Sequence, residues 1–240
     1  MKALTDASAG GPGPRWSLRG RGLRRIPWKA RYLWGQRLMS ELRKLGIRAT
    51  HLHCHVEFQG PVRLGPGFRL SIPESGTLIV GPGVDFRGGF ACEIEGNGRV
   101  VIGAGTTFTS NALIHCATSI EIGERCAFGQ SVLIVDGYHR YTDPDRHWLE
   151  QGYDYRPLRI GPAAGISDKC TIQADIGERA MIGSQSVVNR PIPPFCAASG
   201  SPARTVRYFG PPDRNPNLRA DRGTEVSDPP PSDAASANDS

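Results

Sequence analysis

A histidine in a long polar segment is the strongest candidate for chemistry in this chain. His139 lies in residues 135–159 (VDGYHRYTDPDRHWLEQGYDYRPLR), together with His147 and the carboxylate of Asp136. Imidazole exchanges protons near neutral pH, so a histidine held beside a substrate can remove the proton of an attacking hydroxyl group. The segment therefore predicts a general base. The alternative is that its histidines are ordinary residues of a solvated loop.

An apolar residue recurs every six positions on both sides of this segment. Six residues suffice for one short strand and one tight turn, and three such units close a triangular coil whose branched side chains point to its axis. Neither the 3.6-residue period of a helix nor the two-residue period of a strand explains a step of six. The spacing predicts an all-β fold, a parallel β-helix from which residues 135–159 protrude as a loop. The residues in step are Val80, Phe86, Cys92, Ile102, Phe108, Ile114, Ile122, Phe128, Ile134, Ile160, Ile166, Ile172, Ile176, Ile182 and Val188.

The residues between the apolar positions predict how the coil turns. Glycine often follows the apolar residue, which we attribute to a positive φ at the turn. The step from Ile172 to Ile176 is four residues instead of six and predicts a tightened corner. The fifth residue is usually small, which suits the place where a prism corner narrows. These small residues are Thr106, Cys126, Ala163, Cys170, Ala180 and Ser186.

The segments around the repeat predict one helix and two tails. Residues 1–14 and the acidic, proline-rich residues 210–240 have the composition of disordered chain. Residues 15–46 are predicted to contain a basic amphipathic helix ending near Gly46, with Trp34, Leu38, Leu42 and Leu45 on one face. Residues 47–209 would then form the β-helix domain.

The charge of the helical segment suggests what it contacts. Residues 15–48 hold eleven Arg and Lys against Glu41 alone. Such a helix either caps the end of the main domain or lies on an anionic membrane surface. No nucleic acid partner is predicted, because no recognition fold accompanies the charge.

Composition argues against membrane-spanning, secreted, zinc-binding and disulfide-linked proteins. The 240 residues contain no apolar run of the length needed to span a membrane and no signal-peptide core near the N-terminus, so we expect a cytoplasmic protein, peripheral to the inner face of the membrane if the helix binds lipid. The six cysteines form no CxxC pair, which favours small buried side chains in a reducing compartment over a zinc or disulfide framework.

The stretch from Ile102 to Arg207 resembles the hexapeptide-repeat O-acetyltransferases, which include galactoside and maltose acetyltransferases and polysaccharide-tailoring acyltransferases. The resemblance is strongest in IGERAMIGSQSVVNRPIPPFCAASGSPARTVR. It implies a left-handed β-helix, a homotrimer with acetyl-CoA bound in grooves between subunits, no metal, and a sugar or glycoconjugate hydroxyl as acceptor. By the same resemblance His139 is the catalytic base.

The resemblance also assigns binding roles residue by residue. Backbone N–H groups near Asp168 and Ser184 would meet the thioester of acetyl-CoA. Thr109 aligns with the family's acceptor-binding asparagine, for which Asn111 is the nearest substitute, and Asp136 is taken as a further acceptor contact. The nucleotide phosphates would meet basic residues, a task suited to guanidinium groups. These are Arg190, Arg204 and Arg207.

Two departures from the family pattern keep other functions open. The hexapeptide IGPAAGIS lacks the tryptophan common there, and the shortened step after Ile172 lacks the usual Pro-Gly. One alternative is a trimeric scaffold without catalysis. The other is a zinc enzyme of the γ-carbonic-anhydrase type, with three histidines drawn from His115, His139 and His147.

Overall fold

The computed structural model describes residues 25–215 and contains one α-helix, two short 3₁₀ turns and twenty-one short strands. The helix α1 comes first and the strands follow without another α-helix. The turns are Trp148–Glu150 and Pro212–Arg214. The helix and strands are α1 Arg25–Thr50, β1 His55–Phe58, β2 Arg63–Leu64, β3 Arg69–Ser71, β4 Thr77–Val80, β5 Asp85–Gly88, β6 Ala91–Ile94, β7 Arg99–Ile102, β8 Thr107–Ser110, β9 Leu113–Cys116, β10 Ser119–Ile122, β11 Ala127–Phe128, β12 Leu133–Val135, β13 Gly137–His139, β14 Tyr153–Tyr155, β15 Leu158–Ile160, β16 Gly165–Ile166, β17 Thr171–Ile172, β18 Met181–Ile182, β19 Val187–Val188, β20 Cys196–Gly200 and β21 Ala203–Tyr208.

Three parallel sheets form the faces of a prism. Face A has the order β1-β4-β7-β10-β15, face B runs from β2 through β5, β8, β11, β16 and β18 to β20 and β21, and face C has the order β3-β6-β9-β12-β17-β19. Successive strands along the chain visit the faces in turn, so each sheet pairs residues of neighbouring coils. The antiparallel pair β20–β21 ends face B. The predicted all-β parallel β-helix is thereby confirmed.

The interior is the apolar ladder that the six-residue step predicts. All fifteen residues in step are buried, and the rings of Phe86, Phe108 and Phe128 stack along face B with centroids 5.3 and 4.5 Å apart. The small corner residues are buried as predicted, with one exception. Ala163 has a φ of 56° and stands partly exposed at the turn, whereas Ala164 fills the corner.

The three corners of the prism differ in length. We name them by the faces they join: AB and BC keep the step of six, while CA varies. Corner CA comprises residues 72–76, 95–98, 117–118, 136–157, 173–175 and 189–191 in successive coils. The tightened corner predicted between Ile172 and Ile176 is present, and the same shortening recurs before Ile192. The long loop of residues 136–157 is thus one variant of the corner that tolerates changes in length.

The helix α1 caps the first coil with its polar face. β2 is the outermost strand of face B, and its backbone needs hydrogen-bond partners on the open side. The hydroxyl of Ser40 accepts from the N–H of Leu64 (2.9 Å) and lies 3.3 Å from the carbonyl of Val62, and Arg43 donates to the carbonyl of Leu64 (3.0 Å). Ile47 also packs against the core, whereas Trp34, Leu38, Leu42 and Leu45 of α1 are exposed.

The structure moves two predicted boundaries. The helix continues past Gly46 to Thr50, because an exposed helix interior tolerates glycine at about 1 kcal/mol. At the other end the chain stays ordered beyond residue 209, since Arg214 lies over the ring of Phe195, 5.9 Å from its centroid. Residues 1–14, and all of the acidic tail after residue 215, lie outside the described residues.

All six cysteines are free, and five of them are buried while Cys54 is partly exposed. None of the helices in residues 25–215 combines the length and apolarity that crossing a bilayer requires.

Candidate active site

The protruding loop of corner CA is built as an antiparallel hairpin. β13 pairs with β14, so that His139 lies opposite Tyr153 and Gly137 opposite Tyr155. An ion pair of 2.7 Å between Arg140 and Asp154 holds the hairpin just beyond His139. The predicted base His139 therefore lies on a short paired strand attached to the prism and not on a free loop. This pairing fixes the backbone that carries its side chain.

The ring of His139 lies among aromatic side chains. Its centroid is 4.1 Å from that of Tyr153 and 4.7 Å from that of Trp148, which meets it edge-on at 87°. The side chain is half-buried, and its Nδ1 is buried without a hydrogen-bond partner. A buried polar atom without a partner is uncommon in folded proteins and often marks a functional group. Contacts with Tyr153 and Trp148 hold the ring, and its Nδ1 makes no hydrogen bond.

A small pocket of about 150 Å³ opens beside His139. Its wall combines the two strands of the hairpin with the outer side of face C. The residues around it are His115, Ala117, Val135, Asp136, Gly137, Tyr138, His139, Tyr153 and Tyr155.

His115 is a member of this pocket that sequence reasoning did not assign to it. It lies on β9, and its Nε2 is 3.0 Å from a carboxylate oxygen of Glu95. The pKa of the neighbouring Tyr155 hydroxyl is raised, mainly by burial and to a smaller extent by the Glu95 carboxylate. A second imidazole, paired with a carboxylate, thus lines the same pocket. The His115–Glu95 pair could have been predicted from the strand register. Glu93 and His115 pair across adjacent coils, which brings Glu95, two residues after Glu93, close to His115.

Asp136, which lines the pocket, also has a structural role. The side chain is buried at corner CA and accepts hydrogen bonds from the N–H groups of Ala117 (2.9 Å) and Thr118 (2.7 Å) and from the Thr118 hydroxyl (2.8 Å). It ties the start of the hairpin to the preceding coil. Burial and this carboxylate together raise the pKa of the Cys116 thiol to about 12, so Cys116 stays protonated.

The residues predicted to meet the thioester lie at corner BC. Asp168 and Ser184 occupy the same position in successive coils, and the N–H of Gln185 donates to the carbonyl of Asp168 (2.9 Å). Within the described residues, the N–H groups of Asp168 and Ser184 themselves make no backbone hydrogen bond from coil to coil. The Asp168 carboxylate accepts from the N–H of Gln130 (2.6 Å). These two N–H groups are therefore not used by the ladder between coils.

The predicted acceptor residues also lie towards corner BC, in an earlier coil. Thr109 is near the end of β8 and its hydroxyl is buried without a hydrogen-bond partner, while Asn111 is exposed with a φ of 58°. Neither is part of the pocket around His139. Within one chain the structure does not bring them together with the predicted base.

The three predicted phosphate-binding arginines are exposed and fall in two places. Arg190 belongs to corner CA in the last coil, whereas Arg204 and Arg207 lie on β21 at the end of face B.

The predicted site residues therefore form two groups. One group on corner CA contains Asp136, His139 and Arg190; the other, on the side of face B and corner BC, contains Thr109, Asn111, Asp168, Ser184, Arg204 and Arg207. Face C separates the two groups.

The remaining loop histidine supports local structure. The Nδ1 of His147 accepts from the N–H of Leu149 (3.3 Å) and so caps the 3₁₀ turn Trp148–Glu150. Across residues 25–215, no three His, Cys, Asp or Glu side chains converge in a way that could hold a metal ion.

Comparison with known proteins places the chain beside acetyltransferases. It is 30% identical over 164 residues to a probable acetyltransferase of Mycobacterium tuberculosis, covering 67% of this chain and 54% of that protein. It is 33% identical over 98 residues to the serine acetyltransferase of Salmonella typhimurium, covering 39% and 33%. The chain thus spans about half the length of the first of these relatives. No protein-family model matches it.

A solved structure supports the same fold. An N-acyltransferase from Bacillus cereus, crystallised in complex with dTDP and coenzyme A, superposes with a TM-score of 0.54 at 12% identity, over 73% of this chain and 92% of that one. The curated relatives are acetyltransferases, in agreement with the resemblance that the sequence suggests, and the solved structure shares the fold.

Proposed function

We propose that this protein is an acyl-CoA-dependent acyltransferase that moves an acetyl group to a hydroxyl group of a sugar or glycoconjugate, with His139 as general base. The observation that carries the proposal is the half-buried imidazole of His139, which packs against Tyr153 and Trp148 on the hairpin and lines a pocket. The names of the similar proteins, acetyltransferases and an N-acyltransferase, support the reaction class.

The proposed reaction needs one proton carrier. The acceptor hydroxyl attacks the thioester carbonyl carbon while His139 takes its proton. The resulting oxyanion is stabilised by backbone N–H groups near Asp168 and Ser184, which the coil-to-coil ladder leaves unused. When the tetrahedral intermediate collapses, the carbon–sulfur bond breaks, and the imidazolium returns the proton to the departing thiolate. Asp136 acts indirectly, by anchoring the hairpin.

The separation of the two residue groups supports a homotrimer, and we take the prism to be left-handed because the family resemblance implies it. Within one chain His139 lies at corner CA and Asp168 at corner BC, on opposite edges of face C. If corner CA of one copy lies against corner BC of the next, both groups border a single cleft. Each of the three clefts of a trimer would then take its base from one subunit and its amide donors from the other, which is the arrangement that the family resemblance implies.

The aromatic wall of the pocket favours a sugar as acceptor. Tyr138, Tyr153 and Tyr155 line the pocket and are each between 40% and 44% exposed, and the rings of Tyr153 and Tyr155 stack at 5.3 Å. Partly exposed aromatic rings of this kind present an apolar face next to a polar tip, which suits a ring with both C–H and hydroxyl groups.

A thiol-release assay tests the proposed function. Purified protein is incubated with acetyl-CoA and a panel of hexoses, amino sugars, nucleotide sugars and serine, and free CoA thiol is measured over time. We expect release that depends on a sugar acceptor. Release with serine alone would contradict the sugar assignment. No release with any acceptor, together with no heat of CoA binding by calorimetry, would favour the non-catalytic scaffold.

Arg204 provides a test of donor binding. Replacing it with alanine removes a guanidinium from β21, and we expect the Michaelis constant for acetyl-CoA to rise about tenfold while kcat changes little, because a phosphate contact remote from the thioester stabilises ground and transition states equally. Arg99→Ala is the matched control, since Arg99 is an exposed arginine paired with Glu121 on face A. An equal rise in both variants, or in neither, would contradict the contact.

A further inference from the structure

The helix α1 presents an apolar stripe away from the protein. Trp34, Leu38, Leu42 and Leu45 form this stripe and are 76%, 60%, 50% and 59% exposed. Their spacing places them on one side of the helix over about three turns. Contiguous exposed apolar surface of this extent marks a contact site more often than an ordinary surface.

The stripe is not needed to hold the helix on the prism. The opposite, polar side does so through the hydrogen bonds of Ser40 and Arg43 to β2, while the buried ammonium of Lys44 pairs with Glu41 at 2.7 Å. The cap and the stripe are therefore separate features of one helix. In the part of the chain that the structure describes, no segment covers the stripe.

The charge around the stripe indicates what covers it. Arg37 and Arg48 are exposed on α1. The sequence immediately before Trp34, residues 15–31, contains seven Arg and Lys and no acidic residue. An exposed apolar stripe with tryptophan, next to a concentration of positive charge, is the combination that binds an interface of acyl chains and anionic headgroups.

We propose that α1 docks the protein on an anionic membrane surface, with the stripe inserted at the headgroup level and the prism held on the side facing water. A second copy of this chain fits the stripe less well. Pairing two stripes would bring together two segments of the same high positive charge, whereas lipid phosphates carry the opposite sign. This inference does not depend on the proposed acyltransferase activity.

Vesicle co-sedimentation tests the proposal with the full-length protein. Vesicles of phosphatidylcholine with about 30% phosphatidylglycerol are compared with pure phosphatidylcholine at physiological salt. We expect binding to the anionic vesicles, with loss of at least about tenfold in the partition coefficient for Leu38→Ser/Leu42→Ser. Val206→Ser is the matched control and should bind like the wild type, because Val206 is 65% exposed at the opposite end of the prism.

Two results would overturn the proposal. One is equal binding of the wild type and of Leu38→Ser/Leu42→Ser to anionic vesicles. The other is no vesicle binding by the wild type together with a smaller oligomer for the double variant in light scattering, which would assign the stripe to a contact between copies. Circular dichroism and melting of the double variant establish that it is folded, since its replaced side chains are exposed.

Discussion

Alanine in place of His139 is expected to lower kcat for acyl transfer by about 10²–10⁴-fold, the usual contribution of a general base. The Michaelis constant for acetyl-CoA should change little, because the proposed donor contacts lie at corner BC and on β21. The protein should remain folded: the ring of His139 contacts Tyr153 and Trp148, but its Nδ1 holds no hydrogen-bond partner that would be left unsatisfied. Steady-state rates and a thermal melt measure both effects.

Two other histidines make this test specific. His147→Ala is the control within the same loop, because His147 caps the 3₁₀ turn outside the pocket, and it should keep near-wild-type activity. His115→Ala tests the rival, since His115 lines the same pocket and already pairs with Glu95. Wild-type rates for His139→Ala, together with a large loss of activity for His115→Ala, would contradict the assignment of His139 and would indicate that His115, paired with Glu95, is the base.

The prism could be predicted from the sequence because its interior has a single strict rule. Every coil must place an apolar side chain on the axis at each face, and the buried ladder from Val80 to Val188 obeys this rule. Coil length follows no such rule. Corner CA is free to lengthen or shorten, so residues 136–157 could be recognised as an insertion but their hairpin pairing could not.

The orientation of α1 shows what periodicity leaves open. Spacing indicated correctly that Trp34, Leu38, Leu42 and Leu45 share one side of a helix, but a shared side can face the protein or face away from it. The outcome was decided by the open edge of β2, whose unpaired backbone groups are satisfied by Ser40 and Arg43. Hydrogen-bonding needs of a strand edge therefore outweighed burial of the stripe.

The candidate site was only partly predictable for a related reason. His139 stood out because it lies in an insertion, whereas His115 looked like one outward residue of an ordinary strand. Its pairing with Glu95 depends on the register between neighbouring coils. The hydrogen bonds of Asp136 could not be predicted either, because the sequence does not show that the N–H groups of Ala117 and Thr118 need an acceptor there.

Two glycines at corner AB can show whether crowding between coils or a positive φ is the reason for glycine there. The sequence pattern suggested that glycine after the apolar residue supplies a positive φ, but Gly105 has that conformation (φ 69°) and Gly103 does not. A Cβ on Gly103 would lie 2.5 Å from the backbone nitrogen of Glu124 in the next coil. Gly103 is thus required for the close approach of two coils.

Gly103→Ala is therefore expected to lower the free energy of unfolding by about 3 kcal/mol, since neither backbone can yield without disturbing its ladder. Gly105→Ala should cost about 1 kcal/mol, because other residues, such as Arg125 and Ala163, adopt the same φ at this corner in later coils. Gly35→Ala, in an exposed stretch of α1 where a Cβ meets nothing within 4 Å, should stabilise slightly. Denaturant unfolding of the three variants measures the order. A larger loss for Gly105→Ala than for Gly103→Ala would mean that φ, and not the spacing between coils, selects glycine at this corner.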